Sequence, residues 1–226
     1  MACAVLAVQG AFIEHEQRLH ELGEDCVELR QAADLARPFD RLVLPGGEST
    51  VQGKLLEELG MLEGLRARIE DGMPTLATCA GLILLARNLA AHDDRGTPRL
   101  GTMNITAERN AYGRQLGSFH AQTECAGMPD VPMTFIRAPY IAKVEPSVEV
   151  LSRVDGRIVA AREGSQLAVA FHPELDDDLR MHQLCLQMSS SGREPRHTET
   201  KKMAPSVVMY RGRHAFTLER LCRETN

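Results

Sequence analysis

The chain has no tryptophan, three tyrosines and six phenylalanines, so aliphatic side chains must supply most of any core. It also lacks a long apolar run: nothing approaches the roughly 20 residues that a membrane-spanning helix requires. The apolar opening at residues 2–8 has no basic segment before it and reads as a buried strand rather than a signal peptide. No membrane is expected as a partner. Cys3, Cys26, Cys79, Cys125, Cys185 and Cys222 are dispersed, with no Cys-x-x-Cys pair. That is the usage of reduced thiols in a cytoplasmic protein, not of a disulfide frame. The eight histidines have no metal-ligand spacing, and His15 and His20, five apart, fall on different faces of a helix. No metal is expected. Positive charge is scarce as well. Residues 1–186 carry 18 Lys and Arg against 27 Asp and Glu, while 187–226 carry 8 against 4. An acidic body argues against nucleic acid as a partner.

What is present is alternation. At 226 residues the chain is long enough for one full core. Strand-like runs at 3–8, 26–29, 41–44 and 75–78 alternate with helical stretches. One stretch starts near Phe12 and ends at Gly23. A second follows Leu55, Leu56, Leu59, Leu62, Leu65 and Ile69, with a break near Gly60. A third runs from Gly81 to about Ala90. This β-α alternation predicts an α/β fold, a mostly parallel central sheet flanked by helices. The second half is β-rich: 148–154, 157–162 and 166–171 read as a meander turned by Asp155-Gly156. A helix from about 177 to 188 closes a domain of residues 1–188. Residues 189–226 begin with a linker-like Ser-Ser-Ser-Gly-Arg-Glu-Pro and continue as a polar, basic tail, expected to be disordered or weakly docked.

Three local motifs carry chemistry. Ala77-Thr78-Cys79-Ala80-Gly81 ends an apolar strand in a tight turn that opens a helix. A nucleophile there is held out from the sheet beside backbone amides, where a thiolate is favoured. Phe171-His172-Pro173-Glu174 supplies a base and an orienting carboxylate, since residues i and i+2 of an extended segment share a side. Leu44-Pro45-Gly46-Gly47-Glu48-Ser49-Thr50 stops a strand at two glycines, which allow close backbone approach to a ligand and amides aimed at an oxyanion. Each also has a plain reading: a small buried hydrophobe, a turn, and a helix start capped by Ser49 or Thr50. Gly46-Gly47 is not a phosphate loop, because neither glycine-rich phosphate signature occurs there.

Together these residues resemble the class I glutamine amidotransferases. The blocks Val8-Gln9-Gly10-Ala11-Phe12, Glu108-Arg109-Asn110-Ala111-Tyr112-Gly113-Arg114-Gln115 and Phe135-Ile136-Arg137-Ala138-Pro139 point to the vitamin B6 branch, the glutaminase subunits of pyridoxal 5'-phosphate synthases. The resemblance covers roughly residues 4–188. It departs at Ala77, where many relatives carry glycine, and in the tail.

The resemblance implies a flavodoxin-like class I glutaminase fold and the hydrolysis of L-glutamine through a cysteine thioester. It implies Cys79, His172 and Glu174 as catalytic residues, and the amides of Gly47 and Ala80 as the oxyanion hole. Gly47, Glu48, Ser49, Arg109, Ile136 and Arg137 are implied to hold the substrate, and Gln9-Gly10 is placed to adjust the oxyanion pocket. No cofactor is expected on this chain. The implied partner is a barrel-fold pyridoxal 5'-phosphate synthase subunit that receives the ammonia. The alternatives are another cysteine hydrolase with the same elbow, or an inactive glutaminase-like scaffold.

Overall fold

The computed structural model describes residues 2–93, 96–109 and 118–189. The predicted tail, apart from Ser189, and the loop 110–117 lie outside the described residues. Chain order begins β1 (Ala2–Leu6), α1 (Phe12–Glu21), β2 (Asp25–Leu29), β3 (Arg41–Leu44), α2 (Ser49–Glu58), α3 (Leu62–Glu70), β4 (Thr75–Thr78) and α4 (Ala80–Leu85). The second half adds β5 (Ala86–Leu89), β6 (Met103–Glu108), β7 (Ser118–Cys125), β8 (Met128–Ile136), β9 (Tyr140–Val144), β10 (Glu149–Val154), β11 (Arg157–Glu163), β12 (Gln166–Val169) and α5 (Arg180–Gln187).

Ten strands form one sheet in the order β2-β1-β3-β4-β12-β11-β9-β6-β5, with β10 on β11. From β2 to β12 every pairing is parallel. Parallel strands covered on both faces need continuous apolar runs rather than alternation. Ala4, Val5 and Leu6 in β1, Leu42 and Leu44 in β3, and all of β4 are accordingly buried. Beyond β12 the sheet turns antiparallel through β11 and β9. The predicted meander is present, and Asp155 and Gly156 both adopt positive φ, 49° and 77°, as a two-residue turn between twisted strands requires.

One reading from sequence needs correction. The helix expected to run from Gly81 to about Ala90 stops at Leu85, and Ala86–Leu89 becomes β5, paired in parallel with β6. Pairing with a partner strand overrides a helix-favouring run when Ala86 and Leu89 can both be buried by it. Of the strands between residues 103 and 144, two, β7 and β8, form a separate antiparallel hairpin sheet. That hairpin is tied to β10: Ser152 donates to the Glu124 carbonyl at 2.7 Å, and the Ala126 amide to that of Leu151 at 3.1 Å. Phe119 stacks on Phe135, which meets Phe171 edge-on. With so few aromatics, this run of three rings joins the hairpin to the strand end that carries His172.

Helix α1 packs on β1 and β2, and α5 on β4. Arg41 fixes the end of α5 by donating twice to the Leu186 carbonyl, at 3.2 and 2.9 Å. Gly81 marks the closest approach of α4 to the sheet, where a β-carbon would fall on the Leu44 carbonyl oxygen.

Candidate active site

β3, β4 and β12 are sheet neighbours, and the three motifs leave their carboxyl ends, where open α/β sheets place ligands. Cys79 follows β4 directly. Its amide continues the ladder by donating to the Val169 carbonyl at 2.8 Å, and its backbone then breaks to φ 47°, ψ −99° before α4 begins. A non-glycine residue held there costs about 1–3 kcal/mol and marks functional sites. Ala77, the departure from the family pattern, is fully buried and paired in register with both Leu44 and Ala168, so its methyl does not disturb the strand.

His172 is held by its own backbone, whose amide donates to the Thr134 carbonyl of β8 at 2.8 Å. Its Nδ1 lies 2.7 Å from Glu174 Oε1, which joins base and carboxylate as predicted. The route differs from the prediction. Pro173–Leu175 is a 3-10 turn starting at His172, not an extended segment, so the two side chains meet by curling of the chain. Arg18 of α1 pins that turn, donating to the Glu174 carbonyl at 3.2 Å and pairing with Asp177 at 3.2 Å. On the far side of the ring, Nε2 of His172 is buried and has no hydrogen-bond partner. Burial opposes charge on this imidazole, but the Cys79 sulfur and the Glu174 carboxylate outweigh it and raise the pKa well above 6.5. Burial also works against charge on Glu174, but His15 and His172 hold its pKa below the ordinary value, so it is a carboxylate at neutral pH.

Gly46 decides whether this geometry is possible. A β-carbon on it would fall on Cε1 of His172 and lie 2.9 Å from Nδ1. Gln9 and Gln52 grip the same turn. Gln9 Oε1 accepts from the Glu48 amide at 2.8 Å, and Gln52 Nε2 donates to the Gln9 and Pro45 carbonyls at 2.9 and 3.2 Å. Gln52 was not among the predicted residues. It looks in sequence like any polar position on a helix, yet it is fully buried.

A cleft of about 410 Å³ opens over these groups. It brings together Cys79, Ala80 and His172 with Gly47, Glu48, Ser49, Arg109, Ile136 and Arg137, while Glu174 stands behind His172 outside the lining. Every other predicted site residue borders this one space. Arg137 has φ 44°, a second strained non-glycine position at the rim. Arg109 donates from Nη1 to Thr50 Oγ1 at 3.1 Å, and its Nε is buried with no partner. One detail departs from the plain reading of the turn. The cap of α2 is Glu48, not Ser49 or Thr50: its carboxylate accepts from the amides of Thr50 and Val51 at 3.1 and 2.8 Å. Burial raises its pKa, but those hydrogen bonds and Arg109 prevail and hold it below the ordinary carboxylate value.

Among the described residues no helix is long and apolar enough to cross a membrane, and no cluster of three potential metal ligands occurs.

A strained cysteine at a strand-to-helix turn, backed by a histidine–carboxylate pair on a parallel sheet, defines the α/β proteins that attack acyl carbons with a thiol. The chain belongs to the SNO glutamine amidotransferase family, whose profile matches residues 5–191. It is 55% identical over 188 residues to the pyridoxal 5'-phosphate synthase subunit PdxT of Methanocorpusculum labreanum, covering 83% of this chain and 97% of that one. Its identity to the subunit of the same name from Desulfitobacterium hafniense is 53% over 193 residues, covering 85% and 96%. A crystal structure described as a glutamine amidotransferase matches with a TM-score of 0.78 at 40% identity, over 83% of this chain and 98% of that one.

Proposed function

We propose that this chain is a glutaminase subunit that hydrolyses L-glutamine to L-glutamate and ammonia and delivers the ammonia to a pyridoxal 5'-phosphate synthase partner of barrel fold. The observation that carries the reading is the cleft itself, which sets a strained Cys79, an unpartnered His172 Nε2 and Arg109 Nε around one substrate-sized space.

In this mechanism the Cys79 thiolate adds to the side-chain amide carbon of glutamine. The carbonyl electron pair moves to oxygen, where the amides of Gly47 and Ala80 receive it. His172 gives its Nε2 proton to the departing nitrogen, ammonia leaves, and a thioester remains. His172 then takes a proton from water, the hydroxide adds to the thioester, and collapse expels the thiolate and frees glutamate. Glu174 holds the Nδ1 proton through both halves. Arg109 and Arg137 meet the substrate carboxylate, with Ile136 at the rim beside it. Glu48 shapes this end chiefly by fixing the turn that carries Gly47 and Ser49. Ammonia released into water is protonated and lost as a nucleophile, which is why a receiving partner belongs over the mouth.

The test is glutamine hydrolysis with and without the synthase subunit. Stimulation by the partner is expected. Equal turnover in both conditions indicates an independent hydrolase, and silence in both indicates a scaffold; either result rejects the reading.

The glutaminase domain in this proposal is residues 1–188, with 189–226 an appendage dispensable for catalysis. The family profile ends at residue 191, and 83–85% of this chain is enough to match nearly the whole length of the relatives above. Truncation after Met188 is expected to leave synthase-coupled glutaminase turnover unchanged. Loss of folding or of partner stimulation in the truncated chain would show the tail to be part of the working domain.

A further inference from the structure

Behind the catalytic pair lies a second pair of histidines that the mechanism above does not use. His15, on the inward face of α1, and His182, on α5, are both fully buried. They are 167 residues apart in the chain, yet His15 Nδ1 and His182 Nε2 are 2.9 Å apart. On its other side, His15 Nε2 stands 3.1 Å from Thr78 Oγ1 and 3.3 Å from Glu174 Oε2. Thr78 is the residue before the nucleophile, and Glu174 Oε2 is the carboxylate oxygen that His172 leaves free. That oxygen is buried and has no hydrogen-bond partner of ordinary geometry, the 3.3 Å approach of His15 Nε2 included.

We infer that His15 is a positioning residue for the glutaminase reaction, its Nε2 hydrogen-bonded to Thr78 and seated electrostatically against Glu174, so that the strand end carrying the thiol and the carboxylate orienting the base are fixed to one point. The inference rests on the proposed glutaminase reading for its kinetic consequence but not for its geometry.

The proton positions follow from chemistry. A carboxylate only accepts, so the His15 nitrogen facing Glu174 must carry the proton. Nδ1 of His15 is then the acceptor, and His182 must donate to it from Nε2. His182 Nδ1 is left as a bare lone pair, and it is indeed buried without a partner. An unmet acceptor is a more common tenant of a protein interior than an unmet N–H. Both rings must be neutral for this arrangement. Burial lowers the pKa of His15, against the pull of Glu174, and burial together with His15 lowers that of His182 to about 3. The result is a directed chain of donors, His182 to His15 to Thr78, whose His15 N–H also lies 3.3 Å from one oxygen of the carboxylate that takes the His172 donor on the other. Glu174 thereby lies between two N–H groups, hydrogen-bonded to His172 and drawn electrostatically to His15, which favours the orientation that faces the base.

Two measurements test this. In the intact wild-type chain at neutral pH, the imidazole nitrogens read by long-range proton–nitrogen NMR should show His15 and His182 neutral and protonated at Nε2. A Nδ1-protonated or doubly protonated His15 overturns the inference. Kinetically, His15→Leu should lower kcat of synthase-coupled glutaminase by about 10- to 100-fold, the scale of a small misplacement of catalytic groups. KM for glutamine should stay within about twofold, because His15 does not border the cleft. His15→Gln, whose amide nitrogen reaches the place of Nε2, should recover most of the loss. Wild-type kcat in His15→Leu overturns the clamp, and so does equal impairment of the two variants, which would reduce His15 to packing. If His15→Leu does not fold, the tautomer decides. Should the wild-type chain prove inactive while the tautomers are as stated, the glutaminase reading fails and the clamp stands.

Discussion

Cys79→Ala should abolish glutamine-dependent synthesis of pyridoxal 5'-phosphate by the assembled complex while leaving synthesis from added ammonia intact. The thiol is the group that forms the covalent intermediate in this reading, and loss of a nucleophile of this kind costs on the order of 10⁵- to 10⁶-fold in kcat. His172→Asn should be as severe, because one ring serves as acid to the leaving nitrogen and as base to the water. Glu174→Gln should be milder, about 10⁴-fold, since it upsets tautomer and orientation without removing either reacting group. The comparison of nitrogen sources makes the test selective. A variant that loses both activities has lost its fold or its partner, whereas wild-type glutamine turnover in Cys79→Ala would show the catalytic assignment to be wrong.

The second large effect is expected from a single methyl group. Gly46→Ala puts a β-carbon onto the ring of His172, between the backbone of the turn and Cε1. The backbone cannot retreat freely, because Gln9 and Gln52 hold the turn through the Glu48 amide and the Pro45 carbonyl. The ring must therefore move, and displacement of about 1 Å at a reacting group costs on the order of 100-fold. Overpacking of this kind also costs about 1–3 kcal/mol of stability. Turnover and thermal denaturation measured together separate the two consequences. A folded Gly46→Ala protein with wild-type kcat would mean that the imidazole has room the structure does not show.

Sequence made some of this legible and some not, for physical reasons. Cys79 and the His172–Glu174 pair announce themselves because their requirements are local: a strand, a sharp turn and a helix for the thiol, and two residues of spacing for the pair. The parallel half of the sheet is readable because its strands are short, largely apolar and separated by helical periods. Ala86–Leu89 misleads, because what makes it a strand is β6, a partner that local composition does not display. Glu48 as the helix cap is hard to foresee when Ser49 and Thr50 stand next to it with better intrinsic capping preference. His15 and His182 are the clearest case of hidden information. Each is an ordinary histidine on an amphipathic helix, and their relation exists only after α1 and α5 have been brought over the same part of the sheet. A cue was present in His15 and Leu19, four apart on one face of α1 and both buried, since a histidine on the apolar face of a helix must find a polar partner inside.

The pairing of β4 with β12 also sets when reactivity can appear as the chain folds. Thr78 and Val169 are register partners in adjacent parallel strands, and the Cys79 amide extends that ladder by bonding to the Val169 carbonyl. Closing that contact joins segments roughly ninety residues apart, and such long-range parallel pairing forms slowly compared with local structure. Until it forms, Cys79 has neither its strained backbone nor a base beside it, and it behaves as one dispersed thiol among several. The fold thus withholds nucleophilic power from nascent and partly unfolded chains. A thiol-reactive glutamine analogue followed through refolding should label Cys79 only in step with the last, slowest gain of sheet structure.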